Sequence, residues 1–296
     1  MTTFDLQNYL SARRAWVDAA LESRLPPDTT RPPLLHQAMR YSVMAGGKRL
    51  RPVLCLAACE AVGAVPEAAL LPGLAVEILH TYTLIHDDLP CMDDDELRRG
   101  KPTCHVRFGE ATALLAGDAL LTLAFEWLAE ARTPAPYTPA QLALELARAA
   151  GSQGVIGGQV EDLAAEGQPV DADRLDYIHR HKTAALIRAA VRMGGLCGGA
   201  TPAQLDALTR YGEASGLAFQ IADDILNATS TPEQLGKPVG SDRERGKLTY
   251  VAVHGLERSR ARAEDLVREA GGAIEGLPGD TAPLRALAEH AIRRSS

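Results

Sequence analysis

The sequence predicts an all-α protein folded as one domain over residues 1–296. Three observations carry that prediction. Apolar residues recur at three and four positions along nearly every long segment, the period of a helix with one buried face. Aromatic residues are only 4% of the chain, which speaks against an all-β sandwich or barrel and for helices built on Ala and Leu. Helix starts and stops are well marked, and no segment alternates as a half-buried strand does.

Leu6, Leu10, Val17 and Leu21 form the first stripe. A helix over 34–45 follows, stopped by Gly46-Gly47. Leu74, Ile78, Leu79, Tyr82 and Ile85 form the next stripe, a strongly apolar helix over 74–85. The pentapeptide Thr-Pro-Ala-Gln-Leu occurs at 138–142 and again at 201–205. In each copy the Thr can be the N-cap, the Pro the first helical residue and the Gln the partner in a capping box. A helix from about Asp171 ends at Gly198-Gly199. Residues 227–247 resist helix: they contain Pro232, Gly236, Pro238, Gly240 and Gly246 with little apolar content. A polar loop of about 20 residues in a compact domain is commonly a cover over an active site, so this stretch is the expected lid.

Apolar residues at 46% and charged residues at 23% exclude a disordered or fibrous chain. The net charge of −7 and the lack of a basic patch predict no nucleic-acid partner. The first residues show neither a basic nor an apolar leader region, and no run approaches about 18 apolar residues, so neither a signal peptide nor a membrane span is expected. Five cysteines, an odd number at no metal-ligand spacing, suit a reduced cytoplasmic protein.

The chemistry concentrates at residues 87–96, Asp-Asp-Leu-Pro-Cys-Met-Asp-Asp-Asp-Glu, directly after the apolar helix. Six carboxylates within ten residues raise one another's pKa unless cations neutralise them. Hard oxygen ligands at this density suit Mg²⁺, which completes its shell with water and substrate phosphates. Pro90 cannot donate to the carbonyl of His86, so the chain should deform there and bring Asp93 back toward Asp87. Arg98 and Arg99 follow with guanidinium forks suited to phosphate oxygens. A second acidic pair, Asp223 and Asp224, shares a helix face with Gln220 and Asn227 on an otherwise apolar segment. Lys48, Arg49 and Arg51 lie just beyond Gly46-Gly47, where backbone can approach an anion closely. Lys182, Lys237 and Lys247 are further single cations. The set describes one acid-lined site for a metal-bound diphosphate and one basic site for a second diphosphate held without metal.

With these motifs in place, the sequence resembles the trans-isoprenyl diphosphate synthases of the polyprenyl synthetase family, most closely the bacterial farnesyl diphosphate synthases. The resemblance runs from about Leu34 to Tyr250. It rests on Gly-Gly-Lys-Arg-Leu-Arg-Pro at 46–52, Leu-Ile-His-Asp-Asp-Leu-Pro-Cys-Met-Asp-Asp-Asp at 84–95 and Leu-Arg-Arg-Gly-Lys-Pro-Thr at 97–103. Lys-Thr at 182–183, Phe-Gln-Ile-Ala-Asp-Asp-Ile-Leu at 219–226 and Leu-Gly-Lys at 235–237 complete it. It implies a helical bundle around a deep central cavity, paired as a homodimer, that joins isopentenyl diphosphate to an allylic diphosphate.

The implied roles follow residue by residue. Asp87, Asp93 and Asp223 would ligate Mg²⁺, three ions with diphosphate bound, supported by Asp88 and Asp224. Arg98, Lys182, Lys237 and Lys247 would hold the allylic diphosphate, with Thr183 and Gln220 close to the reacting carbons. Lys48, Arg51, His80 and Arg99 would bind the diphosphate of isopentenyl diphosphate. One departure stands out: the family's second motif usually ends in a third Asp, and here Asn227 takes that place, which predicts weaker metal binding there.

Tyr82 and Thr83 lie five and four residues before Asp87, about 6–8 Å along the helix at 1.5 Å per residue. In the resemblance a bulky residue at Tyr82, with the two extra residues Pro90-Cys91, goes with a fifteen-carbon product, farnesyl diphosphate. A twenty-carbon geranylgeranyl product is the alternative. Readings of other kinds are a metal-dependent phosphohydrolase, in which His86 would be a metal ligand, a terpene cyclase, and a catalytically silent synthase subunit. The first two leave the basic second site without work, and the intact Asp87, Asp93, Arg98 and Arg99 argue against the third. Asp118 is expected as a buried structural carboxylate, Gln159 and Asp162 as either cavity border or helix packing, and His179 and His181 as surface residues.

Overall fold

A computed structural model describes residues 4–229 and 247–293. The chain enters through α1 (Leu6–Arg24), capped by Asp5, whose carboxylate accepts the Asn8 N–H. Next come α2 (Pro33–Val43), α3 (Leu50–Ala61) and α4 (Leu70–Asp87). The acidic turn leads into a minimal antiparallel pair, β1 (Leu97–Arg98) with β2 (Lys101–Pro102), and then into α5 (Cys104–Phe108) and α6 (Glu110–Glu130). After α7 (Pro139–Ala150) and α8 (Val155–Ala165), α9 (Ala172–Ile178) runs through a π-helical turn at His179–Ala184 into α10 (Ala185–Cys197). The long α11 (Pro202–Thr229) precedes α12 (Tyr250–His254), α13 (Leu256–Ala273) and α14 (Ala282–Arg293).

Two apolar clusters meet along α3 and α10. Leu74, Ile78, Leu79, Leu120 and Leu128 bury the contact of α4 with α6. Val53, Leu54, Ile187, Leu217, Ile221 and Leu266 join α3, α10, α11 and α13. Each such side chain contributes about 1.5–3 kcal/mol of transfer free energy. Small residues set the closest approaches: a Cβ on Gly194 would sit 2.1 Å from the Cys55 carbonyl oxygen, so α10 can lie against α3 only with glycine there.

Most expected elements form, with four adjustments. The second helix stops at Val43, two residues before its expected end, and Gly46 and Gly47 instead make the following turn with φ of 92° and 135°. The helix from about residue 171 is interrupted by the π turn. A strand pair of two residues each exists where no strand was expected. Finally, the Pro66–Asp87 helical stretch and α6 are long and apolar enough to cross a membrane by length and composition, contrary to the expectation from the sequence. Here they pack on each other, and one face of α6 stays exposed. Both capping boxes form: the Thr138 N–H donates to Gln141 Oε1 at 2.8 Å and the Thr201 N–H to Gln204 Oε1 at 2.7 Å. The expected lid and Lys237 lie almost wholly, and wholly, outside the described residues.

Candidate active site

The chain turns at Pro90 as the missing N–H requires. α4 ends at Asp87, and the Asp93 N–H then donates to the Asp87 carbonyl at 2.8 Å, folding the second half of the acidic stretch back onto the first. Asp87 is thereby held among like charges in a poorly solvated place. Burial, with Asp93 and Asp88 nearby, pushes its carboxyl up from 3.8 to about 6, against the opposing pull of Lys182 and Arg98. Asp88 is buried and grips Arg98, whose Nε lies 2.8 Å from both carboxylate oxygens. Asp93 meets the Lys247 ammonium at 3.3 Å.

The opposite wall comes from α11, α8 and the π turn. A π turn widens the helix by one residue, and such turns are frequent at functional sites. Here it presents Lys182 and Thr183. Lys182 pairs with Asp162 of α8, and this approach needs Gly158, where a Cβ would lie 2.3 Å from the Lys182 backbone nitrogen. The Thr183 hydroxyl donates to Gln220 Oε1 at 2.7 Å, and Gln220 Nε2 donates to Asp224 Oδ1 at 3.0 Å. Because the Asp224 carboxylate only accepts, it fixes which way the Gln220 amide points. Asp224 Oδ2 also takes the Tyr250 backbone N–H at 2.7 Å. A polar cavity of about 120 Å³ lies among Asp162, Lys182, Thr183, Gln220, Asp224 and Lys247.

The basic set divides. Burial holds the His80 imidazole well below its usual range, helped by the positive fields of Arg51, Arg99, Arg98 and Arg49, so it is neutral in an arginine-rich surrounding. Arg51 is depressed by burial too, while Glu77 and Asp223 pull it the other way. Its Nε is buried with no hydrogen-bond partner among the described residues, a fit for an anion's oxygen. Arg99 donates to the Gly46 carbonyl, and a Cβ on Gly47 would come within 2.6 Å of its guanidinium. Lys48 is exposed and borders a different cavity with Arg14 and His290. Arg49 leaves the set: in a left-handed backbone (φ 49°) it turns inward, bonding Asp18 at 2.7 Å, Glu77 at 2.9 Å and the Val43 carbonyl at 2.7 Å. It ties α1, α2 and α4 together.

Other expectations change. Asp118 is exposed, not buried. His179 is buried, only 3% exposed, not a surface residue. Asp162 is cavity border. His86 turns to α6, with Nε2 at 3.0 Å from the Leu114 carbonyl oxygen, an arrangement that gives a histidine-ligated metal no support. Tyr82 packs edge to face on that ring, at 5.2 Å between centroids. For His179 the sequence offers only its spacing of three and four residues from Lys182 and Thr183, and not the π turn that opens at it.

The donor chemistry fits Mg²⁺. Among the described residues no three His, Cys, Asp or Glu side chains converge on one point. Mg²⁺ takes one or two carboxylates and leaves the remainder of its shell to phosphate and water, and Asp87 with Asp93 beside it offers such oxygens.

A family model described as polyprenyl synthetase matches residues 32–275. The chain is 46% identical, over 100% of its length and 81% of the relative's, to the heterodimeric geranylgeranyl pyrophosphate synthase large subunit 1, chloroplastic, of Arabidopsis thaliana. It superposes on an FPP/GFPP synthase from Zymomonas mobilis with a TM-score of 0.86 at 37% identity, covering 97% of this chain and 98% of that one. Geranylgeranyl pyrophosphate synthetase from Pyrococcus horikoshii gives 0.88 at 31%, with the same coverage. The Arabidopsis relative's chloroplast label lends nothing to the cytoplasmic expectation.

Proposed function

The chain belongs to the polyprenyl synthetase family of trans-prenyltransferases, and on that premise we propose that it extends dimethylallyl, geranyl and longer allylic diphosphates with isopentenyl diphosphate. The observation that carries this reading is Asp87: a half-buried, poorly solvated carboxyl whose charged neighbours are both carboxylates and the phosphate-suited cations Lys182 and Arg98. Asp87, Asp93 and Asp223 would hold Mg²⁺, up to three ions, which when bound neutralises charge on the departing pyrophosphate.

Lys182, Arg98 and Lys247, each paired with a carboxylate, would take phosphate oxygens of the allylic substrate and stabilise the negative charge that grows as its C–O bond breaks. Arg51, Arg99 and neutral His80 offer the second diphosphate a site apart from the acids, with Lys48 expected at its edge. Thr183 spends its proton on Gln220, so its oxygen lone pairs remain for the allylic cation. Attack by the isopentenyl double bond then forms the new C–C bond, and the proton lost passes to pyrophosphate. Asn227, with an uncharged amide oxygen, weakens the second acidic site without removing Asp223.

The names of the Arabidopsis relative and the Pyrococcus structure favour a twenty-carbon product, and we adopt it over the fifteen-carbon one. Tyr82 supports the shorter reading: it is bulky, buried and pinned by His86. Incubation of purified protein with isopentenyl diphosphate, each allylic diphosphate and Mg²⁺, followed by mass spectrometry, decides chain length. Absence of any elongation would remove the enzyme reading. Asp87→Ala should abolish turnover. A homodimer is supported by the uncovered apolar face of α6, where Leu114 and Leu115 are 45% and 57% exposed. Light scattering should return twice the 31.5 kDa chain mass.

A further inference from the structure

We propose that His179 is a positioning residue that holds Asp224, and through it both the Gln220 amide and the strand of chain at residues 247–250, in the arrangement the site needs. The inference rests on the prenyltransferase reading and assigns a residue that reading leaves unused.

His179 opens the π turn, one turn before Lys182 and Thr183. Its side chain is sealed from solvent, and Nε2 lies 3.3 Å from Asp224 Oδ2. Nδ1 is buried with no hydrogen-bond partner among the described residues. A buried imidazole with one polar contact puts its proton where that contact is, so Nε2 carries the hydrogen toward the carboxylate. The ring also stacks on Tyr250, with centroids 6.1 Å apart and planes at 21°.

Asp224 thereby becomes a junction. Oδ1 accepts from Gln220, which in turn accepts from Thr183, and Oδ2 receives the Tyr250 N–H beside the His179 ring. Three residues before Tyr250, Lys247 reaches Asp93 on the far side of the site. One imidazole therefore braces two arms: the dipoles beside the reacting carbons, and the cation facing the first acidic motif. A polar side chain kept dry without full hydrogen bonding is costly to bury, and a cheaper apolar residue would fill the same space. What the imidazole adds is direction, because a donor fixes a carboxylate that could otherwise rotate away from Gln220.

The test compares His179→Phe, which keeps a stacking ring without a donor, with His179→Gln, which restores a donor near the Nε2 position. In the full-length enzyme with Mg²⁺, the Phe variant should lose about 10–100-fold in kcat. KM for isopentenyl diphosphate should stay within about twofold, and the Gln variant should recover most of the loss. In parallel, hydrogen exchange should speed up at the Tyr250 amide in the Phe variant and return toward wild type in the Gln variant. Unchanged exchange at Tyr250 in His179→Phe overturns the proposal, as does equal loss of kcat in both variants. Wild-type protein without turnover would instead sink the prenyltransferase reading, and the exchange measurement would still decide the role of His179.

Discussion

The ammonium of Lys182 lies 2.5 Å from Oδ2 of Asp162, so the cation that faces the acidic turn is itself braced from α8. Removing Lys182 should strip a charge-assisted contact from the allylic phosphate, worth about 1.5–3 kcal/mol. Lys182→Ala is expected to lower kcat/KM for the allylic substrate at least about tenfold while KM for isopentenyl diphosphate holds. Steady-state kinetics with each substrate varied in turn checks this. A parallel rise in both KM values would mean that Lys182 serves the fold and not one diphosphate.

Gly158 is the platform for that lysine. A methyl group there would stand 2.3 Å from the Lys182 nitrogen and 2.7 Å from its Cα, and backbone cannot move aside as a side-chain tip can. Gly158→Ala should therefore destabilise the protein by about 1–3 kcal/mol through overpacking, exceeding the gain of up to about 1 kcal/mol in helix propensity. Urea unfolding would measure the shift, and a stabilised variant would contradict the close packing of α8 on the π turn.

His80 makes stability depend on pH. Burial and four arginines depress its proton affinity below the ordinary 6.5, so the unfolded chain binds that proton more readily than the folded one. Its contribution is complete above pH 6.5 and declines as pH falls from there toward the folded value. The wild type should lose more melting temperature between pH 7 and pH 5 than His80→Gln does. Identical slopes would show that His80 is not the group responsible.

Tyr82→Ala should lengthen the product relative to wild type, because it removes a buried ring about 7.5 Å along α4 from Asp87 at 1.5 Å per residue. The cavity should also cost about 3–5 kcal/mol of stability. Mass spectrometry of the prenyl chain reads the first effect and denaturant melts the second. Unchanged chain length would place the end of the cavity elsewhere.

The helical class, both capping boxes and the backward fold at Pro90 were legible because each depends on neighbours a few residues away. Asp87, Asp223 and Asp224 stand out in the sequence because acids on apolar helices are costly without a cation, whereas Lys182 alone reads as one cation among several and gains its setting only from Asp162 in the fold. Arg49 misled because its neighbours Lys48 and Arg51 share its charge, and only the left-handed backbone at residue 49 turns it toward Asp18 and Glu77. Asp118 misled in the other direction: apolar neighbours in sequence did not place its own face of α6 inside. His179 depends on the π turn, whose extra residue no apolar period announces.

That π turn has a consequence for length. Between Ala172 and Cys197 the chain winds with one amino acid more than an uninterrupted α-helix would use, and the surplus is taken up within the turn. Excising one position from 179–184 would let the turn close to an ordinary α-helix: Leu186, Ile187 and the other inward side chains of α10 would keep their faces, while Lys182 and Thr183 would leave the cavity wall. The scaffold tolerates the loss of that residue; the wall of the site does not.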